Sequence, residues 1–138
     1  MRRTSLFQFY AAVFDFRFKC IYDGAENEFV VFYNSSLQAR FPQIIRDKTE
    51  FEAVENHIHL MDHLRDWEIE EIRPACKRIC ETLLYALKNA FPTKHFAVYA
   101  FVSGDRSLVL RFHQSWQGET DYMKDDPEAW LFFLKLTG

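Results

Sequence analysis

Glycine and proline are scarce in this sequence, with four of each among 138 residues. Few glycines leave few positions for the tight turns and close backbone approaches from which phosphate and dinucleotide sites are built. The sequence also has no P-loop, no G-x-S-x-G and no H-E-x-x-H motif, which mark several nucleotide-binding and hydrolytic families. The sequence therefore disfavours nucleotide-binding folds, and we assign no catalytic residue.

Long apolar runs and a disulfide framework are also missing. The longest unbroken apolar stretch, Phe96–Val102, has seven residues, whereas a membrane helix needs about 20. The three cysteines are odd in number and follow no framework spacing, which favours reduced thiols. Polar residues interrupt the segment after Arg2 and Arg3, so no signal peptide is indicated. We expect a cytoplasmic protein that needs no membrane and no cofactor.

An excess of positive charge is absent too. Lysine and arginine number 17 against 20 acidic residues, which gives a net charge of −3 and disfavours nucleic-acid binding. Aromatic residues are instead abundant, at 17% of the chain. The apolar share of 49% and the length predict a single folded domain over residues 1–138.

Alternating apolar residues predict two β-hairpins. The first joins Val13–Tyr22 to Glu28–Tyr33 through a turn that begins at Asp23. The second joins Phe96–Val102 to Leu108–His113. The first strand of the second hairpin is apolar on both faces, which is typical of a strand that is covered on both sides.

Apolar residues at helical spacing predict two helices between the hairpins. A capping-box pattern at Thr49 and Glu52 starts the first helix, which should run to about Trp67. The second helix carries an apolar stripe from Ile72 to Ala90.

A third helix is predicted over Glu128–Leu136, because an aspartate, a proline and a glutamate at positions 126–128 form a strong helix start. The order of strands, helices, strands and helix predicts an α+β fold. We expect an antiparallel sheet of at least four strands (two hairpins) packed against a helical pair and a C-terminal helix.

Two pairs of residues with metal-ligand chemistry stand close in the sequence. His59 and His63 are four residues apart, as are Cys76 and Cys80. The two pairs resemble those of a Cys₂His₂ zinc finger in the reverse order, with the histidines first. The cysteines fall on the apolar stripe of their predicted helix and the histidines on the polar side of theirs, so the pairs do not converge. We predict no metal site, and zinc binding by these four residues stays an alternative that a metal assay decides.

Two groups of titratable residues make a small enzyme with a His/carboxylate acid–base pair an alternative function. The first group is His59 or His63 with a carboxylate of the same predicted helix. The second group lies on one strand face and in the segment after it: Arg111, His113, Glu119, Asp121 and Tyr122. A solvated surface is the simpler interpretation of both groups, because charged residues occupy surfaces by default.

Acidic residues are concentrated in two stretches. Glu50–Glu71 holds eight acids against one arginine, and Glu119–Glu128 holds five against one lysine. Acidic surfaces attract basic partners, and Trp and Tyr near them are favoured interface anchors. The predicted partner-binding residues are Glu55, His59, Asp62, His63, Asp66, Trp67, Glu70, Glu71, Arg111, His113, Trp116, Glu119, Asp121 and Tyr122.

In size, charge and architecture the chain resembles the immunity proteins of bacterial toxin systems, including contact-dependent inhibition. The nearest approach to a motif is Leu110–Trp116 followed by Glu119 and Tyr122. The resemblance implies a protein that binds a cognate toxin domain, expected to be a basic nuclease, and occludes its active site. A dimeric adaptor that buries the aromatic N-terminal segment is a further alternative, and the sequence does not decide between monomer and homodimer.

Overall fold

The computed structural model describes residues 2–122 and 132–138, with the backbone alone for 132–135. They form an α+β fold with a two-stranded antiparallel sheet, in the order β1-β2, and a four-stranded antiparallel sheet, in the order β3-β5-β4-β6. The elements in chain order are α1 (Arg3–Ala11), β1 (Phe18–Tyr22), β2 (Glu28–Phe32), α2 (Lys48–Glu55), β3 (His57–Met61), α3 (Asp66–Ala90), β4 (Phe96–Val102), β5 (Leu108–Gln114) and β6 (Phe132–Thr137). The predicted α+β class and antiparallel sheet are confirmed.

Both predicted hairpins are present, and they belong to different sheets. The hairpin of β4 and β5 has nearly the predicted bounds, with β5 one residue longer. In the first hairpin the strand begins at Phe18, so the prediction of a strand from Val13 was five residues too long.

The main core lies between α3 and one face of the four-stranded sheet. The apolar stripe of α3 packs on the β4 and β5 residues that alternate toward it. Within the described part of the chain, no helix combines the length and the apolar character needed to cross a membrane. The core residues of these elements are Ile72, Cys76, Ile79, Cys80, Leu83, Leu87, Phe96, Val98, Ala100, Val102, Leu108, Leu110 and Phe112.

The predicted helix from Thr49 to Trp67 was wrong, because the chain forms α2, β3 and the start of α3 over these residues. Asn56, which is fully buried, ends the helix. Its Oδ1 accepts a hydrogen bond from the backbone N–H of Phe32 at 3.1 Å, and its Nδ2 donates to the backbone oxygen of Val30 at 2.8 Å. These bonds fix the chain beside β2, and the following residues pair with β5.

The predicted capping box was wrong as well. The N-cap of α2 is Asp47, whose carboxylate accepts the backbone N–H of Glu50 at 2.9 Å. The backbone N–H of Thr49 donates to the Glu119 side chain at 2.7 Å. Glu52 is fully buried, so its carboxylate is used in the interior and not at the helix end.

The predicted C-terminal helix over Glu128–Leu136 was wrong for the residues that the structure describes. Phe132–Thr137 is strand β6, which pairs antiparallel with β4 and places Leu136 opposite Val98. An apolar run is compatible with a helix or a buried strand, and pairing with the fully buried β4 decides for the strand. The start signal at 126–128 and positions up to 131 lie outside the described residues.

Arg3 joins α1 to α3 through a bidentate ion pair. Its Nε and Nη2 donate to the two carboxylate oxygens of Glu68 at 2.6 and 2.8 Å. Glu68 is buried, and its bonds with Arg3 hold the pKa of the carboxyl at about 2. The pair therefore stabilises the docking of α1.

We expect Arg3→Ala to lower the free energy of unfolding by about 2 kcal/mol at pH 7, because the buried carboxylate of Glu68 loses its partner. The folded pKa of Glu68 lies below the ordinary value of 4.5. The stabilisation is therefore present above about pH 4.5 and is lost as the pH falls toward 2. Urea denaturation should show that the gap between wild type and variant narrows from pH 7 to pH 3.

Arg17→Ala is the control for this prediction. Arg17 is well exposed and lies 3.4 Å from the exposed Asp15, so its removal should change the free energy of unfolding by less than about 0.5 kcal/mol. Equal effects of the two variants would show that the Arg3–Glu68 pair does not anchor α1.

Candidate functional site

An exposed tryptophan lies among carboxylates where α3 begins. Trp67 is 45% exposed, and the side chain of Asp66 is 93% exposed. Positions 67, 70 and 71 are three and four residues apart on the helix and are neighbours on its surface. We call this region the Trp67 surface, and its members are Asp62, Asp66, Trp67, Glu70 and Glu71.

Three arginines pair with these carboxylates: Arg73 from the same helix, and Arg2 and Arg106 from distant parts of the chain. The guanidinium of Arg2 also lies 5.3 Å from the centre of the Trp67 ring, in a cation–π contact. The region is therefore a network of opposite charges and not a uniformly negative patch. The ion pairs are Arg2–Glu71 at 2.7 Å, Arg73–Glu70 at 3.1 Å and Arg106–Asp66.

The loop between β3 and α3, which contains Asp62, is held by hydrogen bonds from two other parts of the chain. Arg3 donates to the backbone oxygens of Asp62 at 2.7 Å and His63 at 2.8 Å. The backbone N–H of Leu64 donates to the backbone oxygen of Arg106 at 2.9 Å, and the Nε of Arg106 donates to the Leu64 oxygen at 2.6 Å. His63 and Arg106 adopt φ values of 55° and 66°, which non-glycine residues rarely occupy. These bonds therefore preorganise the loop.

A second polar cluster lies on the sheet face turned away from α3. In the pairing of β4 and β5, Tyr99 stands opposite Arg111. The guanidinium carbon of Arg111 lies 4.8 Å from the centre of the Tyr122 ring and 5.8 Å from that of Phe101. The sequence-predicted grouping of Arg111 with His113 and Tyr122 is thus present in space. We call Tyr99, Arg111, His113 and Tyr122 the Arg111 cluster.

Hydrogen bonds set the protonation of His113 in this cluster. Its Nδ1 lies 2.7 Å from the backbone oxygen of Gln114, and its Nε2 lies 2.7 Å from the Tyr99 hydroxyl. Since a carbonyl oxygen accepts, Nδ1 carries the proton and Nε2 accepts from Tyr99. Burial, and then the charge of Asp121, raise the pKa of the Tyr99 phenol. His113 is therefore buried with both ring nitrogens in hydrogen bonds.

Trp116 and Glu119 lie apart from both surfaces, beside α2. Glu119 accepts from the start of α2, and its carboxylate lies 3.3 Å from the Lys48 Nζ. Trp116 packs on Phe29 with ring centres 5.3 Å apart. These two predicted contact residues therefore hold the fold together at α2.

Glu52 is a buried carboxylate surrounded by donors. One oxygen accepts from Val30 N at 2.9 Å and Gln114 Nε2 at 2.7 Å. The other accepts from Trp116 Nε1 at 3.1 Å and from the backbone N–H of Gln114. Burial raises the pKa of the Glu52 carboxyl to about 7, and these hydrogen bonds oppose the shift. Glu52 thus ties α2 to β2 and β5.

The remaining predicted contact residues occupy separate places. Glu55 accepts the Ser35 hydroxyl at 2.6 Å. His59 lies on β3 with its Nδ1 3.8 Å from an oxygen of Asp62, while His63 is in the loop that follows. The fourteen predicted residues therefore do not form one face. Most of them divide among the Trp67 surface, the Arg111 cluster and the surroundings of α2, while His59 and His63 lie on β3 and in the loop after it, and the charge of Asp121 acts on Tyr99 of the Arg111 cluster.

The two cysteines of the zinc alternative are in the core. Cys76 and Cys80 are fully buried on the sheet side of α3, whereas His59 and His63 are exposed. Burial raises the pKa of the Cys76 thiol to about 12, so it does not ionise near neutral pH. Within residues 2–122 and 132–138, no group of three or more His, Cys, Asp or Glu side chains is placed to hold a metal.

Apolar side chains are exposed on α1 and just after it. Phe9 is 63% and Val13 61% exposed. A groove of about 430 Å³ next to them is lined by Phe7, Tyr10, Val13, Phe14, Asp15 and Leu60. This is the aromatic N-terminal segment that the dimeric alternative would bury.

The sequence did not reveal several residues that complete these surfaces. Arg2, Arg3 and Arg106 are far in sequence from the acids that they contact, so no local pattern indicates them. The position of Tyr99 could have been predicted from the sequence, because the register of the second hairpin places it opposite Arg111. His57, which faces Arg111 from β3, was hidden by the incorrect helix prediction.

Comparison with known proteins gives no relative from which a role could be transferred. No protein-family model, no curated protein and no solved structure matches the chain.

Proposed function

We propose that this protein binds a basic toxin domain and neutralises it by covering its active site, in the manner of bacterial immunity proteins. The Trp67 surface is the proposed contact. The observation that supports the proposal is the exposure of Trp67 within a group of carboxylates. A large aromatic anchor within a polar rim is the usual anatomy of a protein interface.

The arginines on this surface fit the proposal because their pairs are replaceable. Exposed ion pairs contribute at most about 1 kcal/mol, so lysine or arginine side chains of a partner can compete for the carboxylates of Asp66 and Glu70 at small cost. The Asp62–Leu64 loop is held by backbone hydrogen bonds. Little conformational freedom would therefore be lost on binding.

A toxin that acts on nucleic acid needs cationic groups in its cleft to hold phosphate. The carboxylates of Asp66 and Glu70 would occupy that cleft in place of the phosphate. As an inhibitor of this kind, the protein would act in the cytoplasm, where such a toxin meets its substrate.

Coexpression tests this function. The test applies where the reading frame immediately upstream of this chain encodes a secreted protein, and the probe is the C-terminal domain of that protein. That domain should stop bacterial growth when expressed alone, and the wild-type chain should restore growth. Trp67→Ala should lose most of the protection because it removes the anchor, and so should the combined change Asp62→Asn, Asp66→Asn, Glu70→Gln and Glu71→Gln.

Tyr85→Ala is the matched control. Tyr85 is an exposed aromatic residue of the same helix, about 27 Å from Trp67 along the axis at 1.5 Å per residue. Its loss should leave protection intact. Full protection by Trp67→Ala, with the variant expressed at the wild-type level, would exclude the Trp67 surface as the contact.

A further inference from the structure

The donors of Arg111 are incompletely used. Its Nε and Nη1 atoms are buried, and neither has a hydrogen-bond partner within residues 2–122 and 132–138. No ion pair within these ranges includes Arg111. The side chain as a whole is only partly buried and has a hydrogen bond with the Tyr122 side chain, so Nε and Nη1 are its two buried donors that lack an acceptor. A buried donor without an acceptor is costly. An anion is therefore the partner that this side chain lacks.

The surroundings of Arg111 cover part of its side chain with aromatic rings, and no described residue forms an ion pair with it. The rings of Tyr122 and Phe101 lie against the guanidinium at 4.8 and 5.8 Å. Burial lowers the pKa of Arg111, and the Tyr122 side chain opposes that shift. The residues opposite Arg111 on the neighbouring strands are Tyr99 and His57.

The other buried base of the cluster is no counterion either. The ring nitrogens of His113 lie in hydrogen-bond contact with the Gln114 oxygen and the Tyr99 hydroxyl, and a histidine side chain carries no negative charge. The cluster is thus a positively charged point with aromatic walls. In such an environment the attraction between arginine and an anion is stronger than in water.

The geometry points to a binding site for a small oxyanion, the carboxylate or phosphate group of a low-molecular-weight ligand, with Arg111 as its cationic anchor and the rings of Phe101 and Tyr122 beside it. Arginine is the side chain best suited to these planar or tetrahedral anions, because it presents several donors in a fixed fork. The site lies on the sheet face opposite α3, so it does not depend on the Trp67 surface.

NMR of the arginine Nε–Hε groups tests the site directly. The Arg111 signal is identified by its absence in Arg111→Lys. The wild-type protein is then titrated with inorganic phosphate and, separately, with sodium benzoate, at constant ionic strength adjusted with sodium chloride. We expect the Arg111 signal to shift and saturate with at least one of the two anions. Saturation with phosphate alone assigns a phosphate group, and saturation with benzoate alone assigns a carboxylate.

The exposed Arg17 is the internal control, since it lies in the segment before β1 and its side chain is 78% exposed. Its signal should not saturate. Thermal denaturation gives a second measurement: the anion that binds should raise the melting temperature of the wild type and not that of Arg111→Gln or Arg111→Lys. An Arg111 signal that does not saturate with either anion, or that changes in parallel with Arg17, overturns the proposal.

Discussion

Glu52→Ala is expected to lower the free energy of unfolding by about 4 kcal/mol or more at pH 7. The change leaves four donors without an acceptor: two backbone N–H groups, the Gln114 amide and the Trp116 indole. An unsatisfied buried donor costs about 1–3 kcal/mol, and the removed side chain also leaves a cavity. Urea denaturation followed by circular dichroism measures the effect.

Glu50→Ala is the control, because Glu50 is exposed on the same helix. It should change the free energy of unfolding by less than about 0.5 kcal/mol. A loss below about 1 kcal/mol in Glu52→Ala would show that the four donors find other acceptors.

The contribution of Glu52 to the free energy of unfolding also depends on pH. Because its folded pKa of about 7 lies above the ordinary 4.5, the native state binds the proton more tightly than the unfolded state does. The contribution of Glu52 to stability therefore falls as the pH rises from 4.5 to 7. Glu52→Gln lacks this term, so the difference in unfolding free energy between wild type and Glu52→Gln should decrease over that range. A difference that is constant with pH would contradict the raised pKa.

Arg111→Met is expected to make the ligand-free protein more stable, by about 1–3 kcal/mol. Arg111 is a partly buried charge whose Nε and Nη1 lack an acceptor. Replacing it with an apolar side chain of similar length removes the desolvation cost of these groups. Arg106→Met is the matched control: Arg106 donates to the Leu64 oxygen and pairs with Asp66, so its replacement should destabilise the fold. Chemical denaturation without added phosphate or carboxylate compares the two variants. Destabilisation by Arg111→Met would show that its guanidinium is already paired in the free protein.

The elements that the sequence predicted well are those whose neighbours are close in the chain. The hairpin of β4 and β5 spans 19 residues, from Phe96 to Gln114. The alternation of its apolar residues and its turn residues both indicate a hairpin. The α3 helix was recognised by an apolar stripe from Ile72 to Ala90, although its first two residues, Asp66 and Trp67, were assigned to the preceding helix. In these cases local periodicity and tertiary packing favour the same structure.

The failures occur where a distant residue decides the local conformation. Asn56 ends α2 because β2 supplies partners for its amide, and β6 is a strand because β4 has a free edge beside it. Helical spacing over 49–67 was a real pattern, but pairing with β5 prevails over it.

In the candidate site, too, residues that are distant in the sequence were not predicted. Trp67 and the acids near it were recognisable from their types and proximity in the sequence. The arginines that pair with them come from the residue before α1, from a later turn of α3 and from the turn between β4 and β5. The acidic stretch therefore suggested a stronger negative field than the folded surface carries. Similarly, the unpartnered donors of Arg111 result from its burial, which composition does not specify.

Where the upstream reading frame encodes a secreted toxin, calorimetric titration of the purified chain with its C-terminal domain is the most direct test of binding at the Trp67 surface. The account predicts one-to-one binding that weakens at least about 30-fold in Trp67→Ala, the loss expected of an aromatic interface anchor worth about 2 kcal/mol. Tyr85→Ala should bind within about twofold of the wild type, as a residue outside the contact should. Equal affinities of wild type and Trp67→Ala, or no binding by the wild-type chain, would contradict the account.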